Sequence, residues 1–266
     1  MDRQRRAEYL QAIGIDVWVP RIGSGPGAQP AVDAAEPAAA QGPKISGNHA
    51  GTDSGPREAP AADGHGPGSA EHWEALRAQV LRCTRCGLHA GRTQGVFGVG
   101  PPRAEWMVIG EAPGAEEDRR GEPFVGRAGQ LLDAMLRAIG LSRAQNVYIA
   151  NVLKSRPPSN RDPRPEEVAA CLPYLRRQIE LVRPRLLLAV GRIAAQNLLA
   201  TEESLSRLRG RVHTFGELNT PLVVTYHPAY LLRNPADKRK AWEDLKFARS
   251  VFRQLTAGLP EDGHRS

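Results

Sequence analysis

Apolar residues in this chain gather into four short blocks, each closed by glycine, proline or a polar side chain. Trp106, Met107, Val108 and Ile109 form one such block, stopped by Gly110, Pro113 and Gly114. A run of that length closed by Gly and Pro predicts a buried strand entering a tight loop. The same pattern predicts strands over 147–153, over 185–190 before Gly191, and over 222–225 before Tyr226-His227-Pro228. Between them the apolar spacing becomes helical. His72, Trp73, Leu76, Val80 and Leu81 share a face, and Leu131, Leu132, Met135, Leu136 and Ile139 share another over 126–139, ended by Gly140. Further helices are predicted over 165–182, 193–199 and 236–255. Strands alternating with helices imply an α/β fold, a three-layer α/β/α arrangement around a central, mostly parallel four-stranded sheet.

This patterning is confined to residues 70–257, which read as one domain. Residues 22–69 collapse to Gly, Pro, Ala and Ser with scattered charges and almost no apolar anchors. Such a segment cannot offset its ordering entropy and reads as a disordered linker. Residues 1–21 hold a short helical segment (Tyr9, Leu10, Ile13) followed by the apolar stretch from Ile15 to Val19. It reads either as a docking piece, for the main domain or a protein partner, or as a segment too short to be ordered alone. Residues 258–266 form a tail.

Composition sharpens the picture in three respects. The length of 266 residues suits one α/β domain with extras or two small ones. A formal charge of +7 suits a polyanionic partner, although basic surfaces also serve solubility. Three cysteines, an odd and small number, argue against a disulfide framework and for a reducing compartment with thiols free to bind metal. Met1-Asp-Arg-Gln-Arg-Arg6 leads into no apolar signal region, and no stretch is long enough to span a membrane, so a cytoplasmic, monomeric protein is expected.

Three of the predicted strands end in polar residues: Glu111, Asn151 and His227. Singly each has an ordinary explanation, as a loop carboxylate, a strand-end cap and a satisfied core histidine. In a parallel sheet, however, carboxyl ends share one edge, where ligands bind, and three polar residues there point to a common pocket.

The longer strings around them resemble the signature of family 4 uracil-DNA glycosylases. They are Gly110-Glu-Ala-Pro-Gly114, Glu117-Asp118, Gly121-Glu-Pro-Phe-Val-Gly-Arg-Ala-Gly-Gln-Leu-Leu132, Asn151-Val-Leu-Lys-Ser-Arg-Pro-Pro-Ser-Asn-Arg161 and His227-Pro-Ala-Tyr-Leu-Leu-Arg-Asn-Pro235. The resemblance covers about residues 72–255. It implies an enzyme that flips uracil out of single- or double-stranded DNA and hydrolyses its N-glycosidic bond, leaving an abasic site. Carried over position by position, Gly110, Glu111 and Ala112 line the uracil pocket, Phe124 stacks on the base and Asn151 reads its polar edge. His227 hydrogen-bonds the oxygen on which charge develops as uracil departs. Ala112 stands where the best-known uracil glycosylases carry a water-activating Asp, which leaves Glu111 and Glu117 as candidates for that role. Tyr230, Leu231 and Leu232, beside Arg233, Lys238 and Arg239, read as a loop that wedges the duplex and holds phosphates. Arg161, Arg164, Arg176 and Arg177 are either further phosphate contacts or a solvated helix face.

Cys83-Thr-Arg-Cys86 is a metal-ligand pair by its spacing. The resemblance implies a [4Fe–4S] cluster held also by Cys171 and by a cysteine at the position of Ser155, sixteen residues before Cys171. Only three of the four ligands are therefore cysteines. His89 offers the alternative of a Cys3His zinc site, and a metal-free pair of thiols is the third reading. The incomplete site and the long linker also motivate a second function: a catalytically weak DNA-binding module recruited through residues 1–21.

Overall fold

The structure, a computed structural model, describes residues 68–257. The expected helix within 1–21, most of the 22–69 linker and the 258–266 tail lie outside the described residues. The last two positions assigned to the linker, Gly68 and Ser69, instead begin helix α1 (Gly68–Leu81).

Strands β1 (Trp106–Gly110), β2 (Val147–Asn151) and β3 (Leu186–Val190) are buried along their whole length. Their continuous Val, Leu, Ile and Ala content suits a parallel sheet covered on both faces. Side chains alternate across it. Trp106 and Val108 join one apolar cluster with Leu132, Met135, Leu136, Trp242 and Leu245. Met107 and Ile109 join the opposite cluster with Leu175, Ile179 and Leu198. Helices α3 (Arg127–Ala138) and α8 (Lys238–Thr256) thus cover one face, and α4 (Pro165–Val182) and α5 (Arg192–Leu199) the other. Helix α2 (Ala115–Arg120) follows β1.

The sheet has five strands, in the order β2-β1-β3-β5-β4. The expected count of four omitted β4 (His213–Phe215), which pairs antiparallel with β5 (Thr220–Thr225). Three residues in a charged stretch give too little alternation to register as a strand. The hairpin instead declares itself in its turn, where Gly216 and Asn219 both take positive φ. A short helix α6 (Leu205–Leu208) precedes β4, and α7 (Pro228–Arg233) occupies a segment expected as a loop.

Register decides where chemistry can occur. Gly110 pairs with Asn151, and Val190 with Thr225, so four carboxyl ends finish nearly level. β2 and β3 flank β1 on opposite sides, which makes the β1/β3 boundary the topological switch point. The residues just past it are Glu111 and Gly191.

Candidate active site

A cavity of about 440 Å³ opens at this sheet edge, lined among others by Glu111, Ala112, Phe124, Asn151 and His227. Gly110, expected to line it, is not among the lining residues and lies instead against Asn151 and Phe124. A Cβ there would overlap Asn151 Oδ1 and come within 2.6 Å of Phe124 Cζ, so only glycine lets amide and ring approach.

Phe124 sits at φ 55°, a left-handed conformation that costs an aromatic residue free energy and persists only when its surroundings hold it. Arg143 donates to the carbonyls of Phe124 (2.8 Å) and Pro123 (3.1 Å) and is itself fixed by Asp133. From the other side, Glu117 Oε1 accepts the N–H of Val125 (3.0 Å) and Gly126 (3.2 Å), while its Oε2 accepts that of Gly114 (3.1 Å). Both Glu117 oxygens are thus committed to backbone. The residue clamps the loop after β1 to the loop before α3, a poor arrangement for activating water. Glu117 nonetheless lines the cavity, as Glu111 does, and its Oε2 accepts a single N–H.

Burial raises the Glu111 carboxyl to about 7, Asp162 pushes it the same way, and Arg192 opposes them. Asn151 is buried, and its Oδ1 has no hydrogen-bond partner among the described residues. An unpartnered buried acceptor costs free energy unless something else satisfies it. His227 caps α7: its Nδ1 accepts the Ala229 N–H at 3.1 Å. That bond fixes the tautomer, leaving Nε2 as the protonated nitrogen. Burial first, and the charge of Arg233 second, pull the imidazole down to about 4 against Glu117, so it is neutral near pH 7. Its ring lies 5.6 Å from that of Phe124, tilted by 32°.

With this geometry established, the relatives are informative. The profile of the uracil DNA glycosylase superfamily matches residues 97–246. A type-4 uracil-DNA glycosylase of Archaeoglobus fulgidus is 46% identical over 182 residues, spanning 66% of this chain and 91% of the relative. The chain belongs to the uracil-DNA glycosylase superfamily, on its type-4 branch. A type-4 enzyme of Thermotoga maritima is 41% identical across 96% of its own length. A type-5 enzyme of Thermus thermophilus is 37% identical over 119 residues, 54% of its length.

The remaining family positions divide unevenly. Leu231, expected at the duplex, is 1% exposed and packs into the core with Trp242 and Leu245, so it cannot reach DNA. The adjacent Leu232 is the exposed one. Helical phase explains the exchange, because the segment expected as a loop is α7 and consecutive residues on it face about 100° apart. Tyr230 lines the cavity, stacks on Tyr226 and donates to Asp237 at 2.7 Å. Arg233 and Arg239 are exposed and Lys238 is half-buried. Arg161 lines the cavity but forms a two-bond pair with Glu167, and Arg177 pairs with Glu180 along α4. Asp162 and Arg192, the charges that Glu111 feels, escaped the sequence reading. The one available signal was position: Arg192 directly follows Gly191 at a strand end, and Asp162 follows the quoted Arg161.

Cys83, Cys86 and Cys171 are free thiols. Cys83 and Cys86 lie close enough for their charge to raise the Cys171 pKa, which burial raises most and Lys154 opposes. Tyr174 Oη donates to Cys83 Sγ at 3.3 Å. Ser155 is buried and accepts from Arg92 Nη1 at 2.7 Å, and Nη2 of the same guanidinium reaches the carbonyls of Leu81 and Cys83. His89 is exposed and its Nδ1 bonds the Cys86 carbonyl, 2.7 Å away. Among the described residues no three His, Cys, Asp or Glu side chains converge as one ion requires, and this holds for Cys83, Cys86 and Cys171 as it does for His89. Cys83, Cys86 and Cys171 are soft sulfur donors of the kind iron–sulfur clusters take, and Ser155 offers a harder hydroxyl.

Proposed function

We propose that this chain excises uracil from DNA with Asn151, Phe124, His227 and Glu111 as its working side chains. The observation that carries this reading is the buried, unpartnered Oδ1 of Asn151, a residue lining the same cavity as the neutral donor His227. Uracil carries a ring N–H between two carbonyls. Oδ1 accepts that N–H while the Asn151 amide donates to a carbonyl; cytosine, with an acceptor in place of the N–H, leaves the pair mismatched. The Phe124 ring supplies a stacking face for the flipped base.

The C1′–N1 bond breaks with its electron pair passing to uracil, whose negative charge gathers on a carbonyl oxygen. His227 Nε2–H donates to that oxygen, and one preorganised donor of this kind lowers the barrier by on the order of 3 kcal/mol. Water then forms the C1′–O bond, and its proton passes to the Glu111 carboxylate. Extrusion of the base costs a few kcal/mol of stacking, which the exposed Leu232 offsets by entering the gap while Arg233 and Arg239 hold phosphates.

Cys83, Cys86 and Cys171 hold an iron–sulfur cluster in this reading, joining the end of α1 to α4. The cluster supplies a structural tie and no redox step. No helix of the described residues is long and apolar enough to cross a membrane.

Single- and double-stranded oligonucleotides carrying one uracil, incubated with the full chain and then treated with alkali, test the proposal. Strand scission at the uracil is expected. Retained binding without scission would overturn the reading in favour of a recruitment module.

A further inference from the structure

Lys154 is 1% exposed and forms no ion pair with any carboxylate among the described residues. Burying a polar nitrogen costs free energy unless its hydrogens are satisfied, and an apolar side chain beside Cys171 would fill the same space at lower cost. Its Nζ donates to the Asn151 carbonyl at 2.8 Å and to Gln178 Oε1 at 2.6 Å. Gln178, itself fully buried, is anchored in turn through Nε2 to the Phe97 carbonyl (2.9 Å) and the Tyr148 hydroxyl (3.1 Å).

This network lies where the sheet stops supplying hydrogen bonds. Asn151 ends β2, and β2 is an edge strand. On its inner side the chain continues to bond past the strand, with Val152 N–H donating to Gly110 O at 2.9 Å. On its outer side the ladder ends at the Val99–Ile149 bridge, two residues short of Asn151. Without Lys154 the Asn151 carbonyl would face that side unpaired, and its peptide plane would be held from the inner side alone, by the Val152 N–H. Lys154, three residues on, closes the gap.

We propose that Lys154 is a positioning residue for uracil recognition, holding the Asn151 main chain so that its amide stays aimed into the cavity. This rests on the uracil-excision reading above. Because Lys154 acts through Asn151, its removal changes how the base is held and leaves the grip on DNA phosphates intact.

The test uses the full chain with Lys154→Met, which keeps a linear side chain, and Lys154→Gln, which keeps a shortened donor in case the first does not fold. Inhibition by free uracil, affinity for abasic-site DNA and thermal unfolding are measured for each. A folded variant is expected to bind free uracil about tenfold more weakly or worse, with abasic-DNA affinity within twofold of the parent. In an Asn151→Ala background the Lys154 substitution should add nothing further, whereas a merely structural role would give multiplying losses. Uracil inhibition within twofold of the parent, equal losses for uracil and DNA, or multiplying effects would each overturn the inference. A parent chain that releases no uracil would instead overturn the reading on which it rests.

Discussion

At the scale of single residues, protonation decides which side chain does what. Glu111, held near 7, must be ionised to take a proton from water. Activity is therefore expected to climb with pH through about 7, and Glu111→Gln should flatten that limb in a single-turnover pH profile. The same shift has a stability sign. A carboxyl whose folded pKa is raised loses stability as pH rises from its unfolded value through the folded one. Glu111→Gln should consequently match the parent in thermal unfolding at pH 4 and exceed it at pH 8, by on the order of 1 kcal/mol after solvent screening. His227 runs the other way. Its depressed pKa keeps it neutral from pH 5 to 8, and the stability it confers is lost as pH falls from about 6.5 through about 4, where the unfolded chain takes up the proton first. His227→Ala should lower kcat by roughly 10²–10³ with a small change in KM, the mark of a contact made in the transition state.

At the scale of elements, two loops and a strand end aim these groups. Gly191 at the end of β3 has φ 97°, and a Cβ there would meet His227 Cβ at 2.9 Å. Gly191→Ala should both strain the backbone and displace the imidazole, giving a loss of kcat larger than its loss of stability; equal losses would reduce Gly191 to a structural role. Much of this level could be read from apolar runs and their glycine stops, because strand ends in a parallel sheet must share an edge. What could not be read needed a third dimension. Glu117 becomes a clamp only once Val125 and Gly126 fold back over it, and no spacing along the chain announces that. Leu231 and Leu232 are chemically alike neighbours, and only the phase of α7 separates core from surface. β4 was too short to carry a period of its own.

At the scale of the whole molecule, the sheet, its two helical layers and the cysteine corner form one connected unit. Arg92 joins the end of α1 to the loop after β2 through Leu81, Cys83 and Ser155. Serine at this position would offer the proposed cluster a shorter, harder donor already engaged by a cation. Ser155→Cys is expected to raise the iron retained per chain after aerobic purification and to slow bleaching of absorbance near 400 nm. Equal retention in parent and variant would show that Ser155 is an adequate ligand or that no cluster forms, and iron analysis of the anaerobic parent separates the two. Cys83, Cys86 and Cys171 are moreover the whole cysteine content of the chain. Every equivalent of a thiol-reactive dye that the purified protein takes up therefore reports on this one corner, and the equivalents gained when chelator is added to the urea-unfolded protein count the thiols that metal had masked.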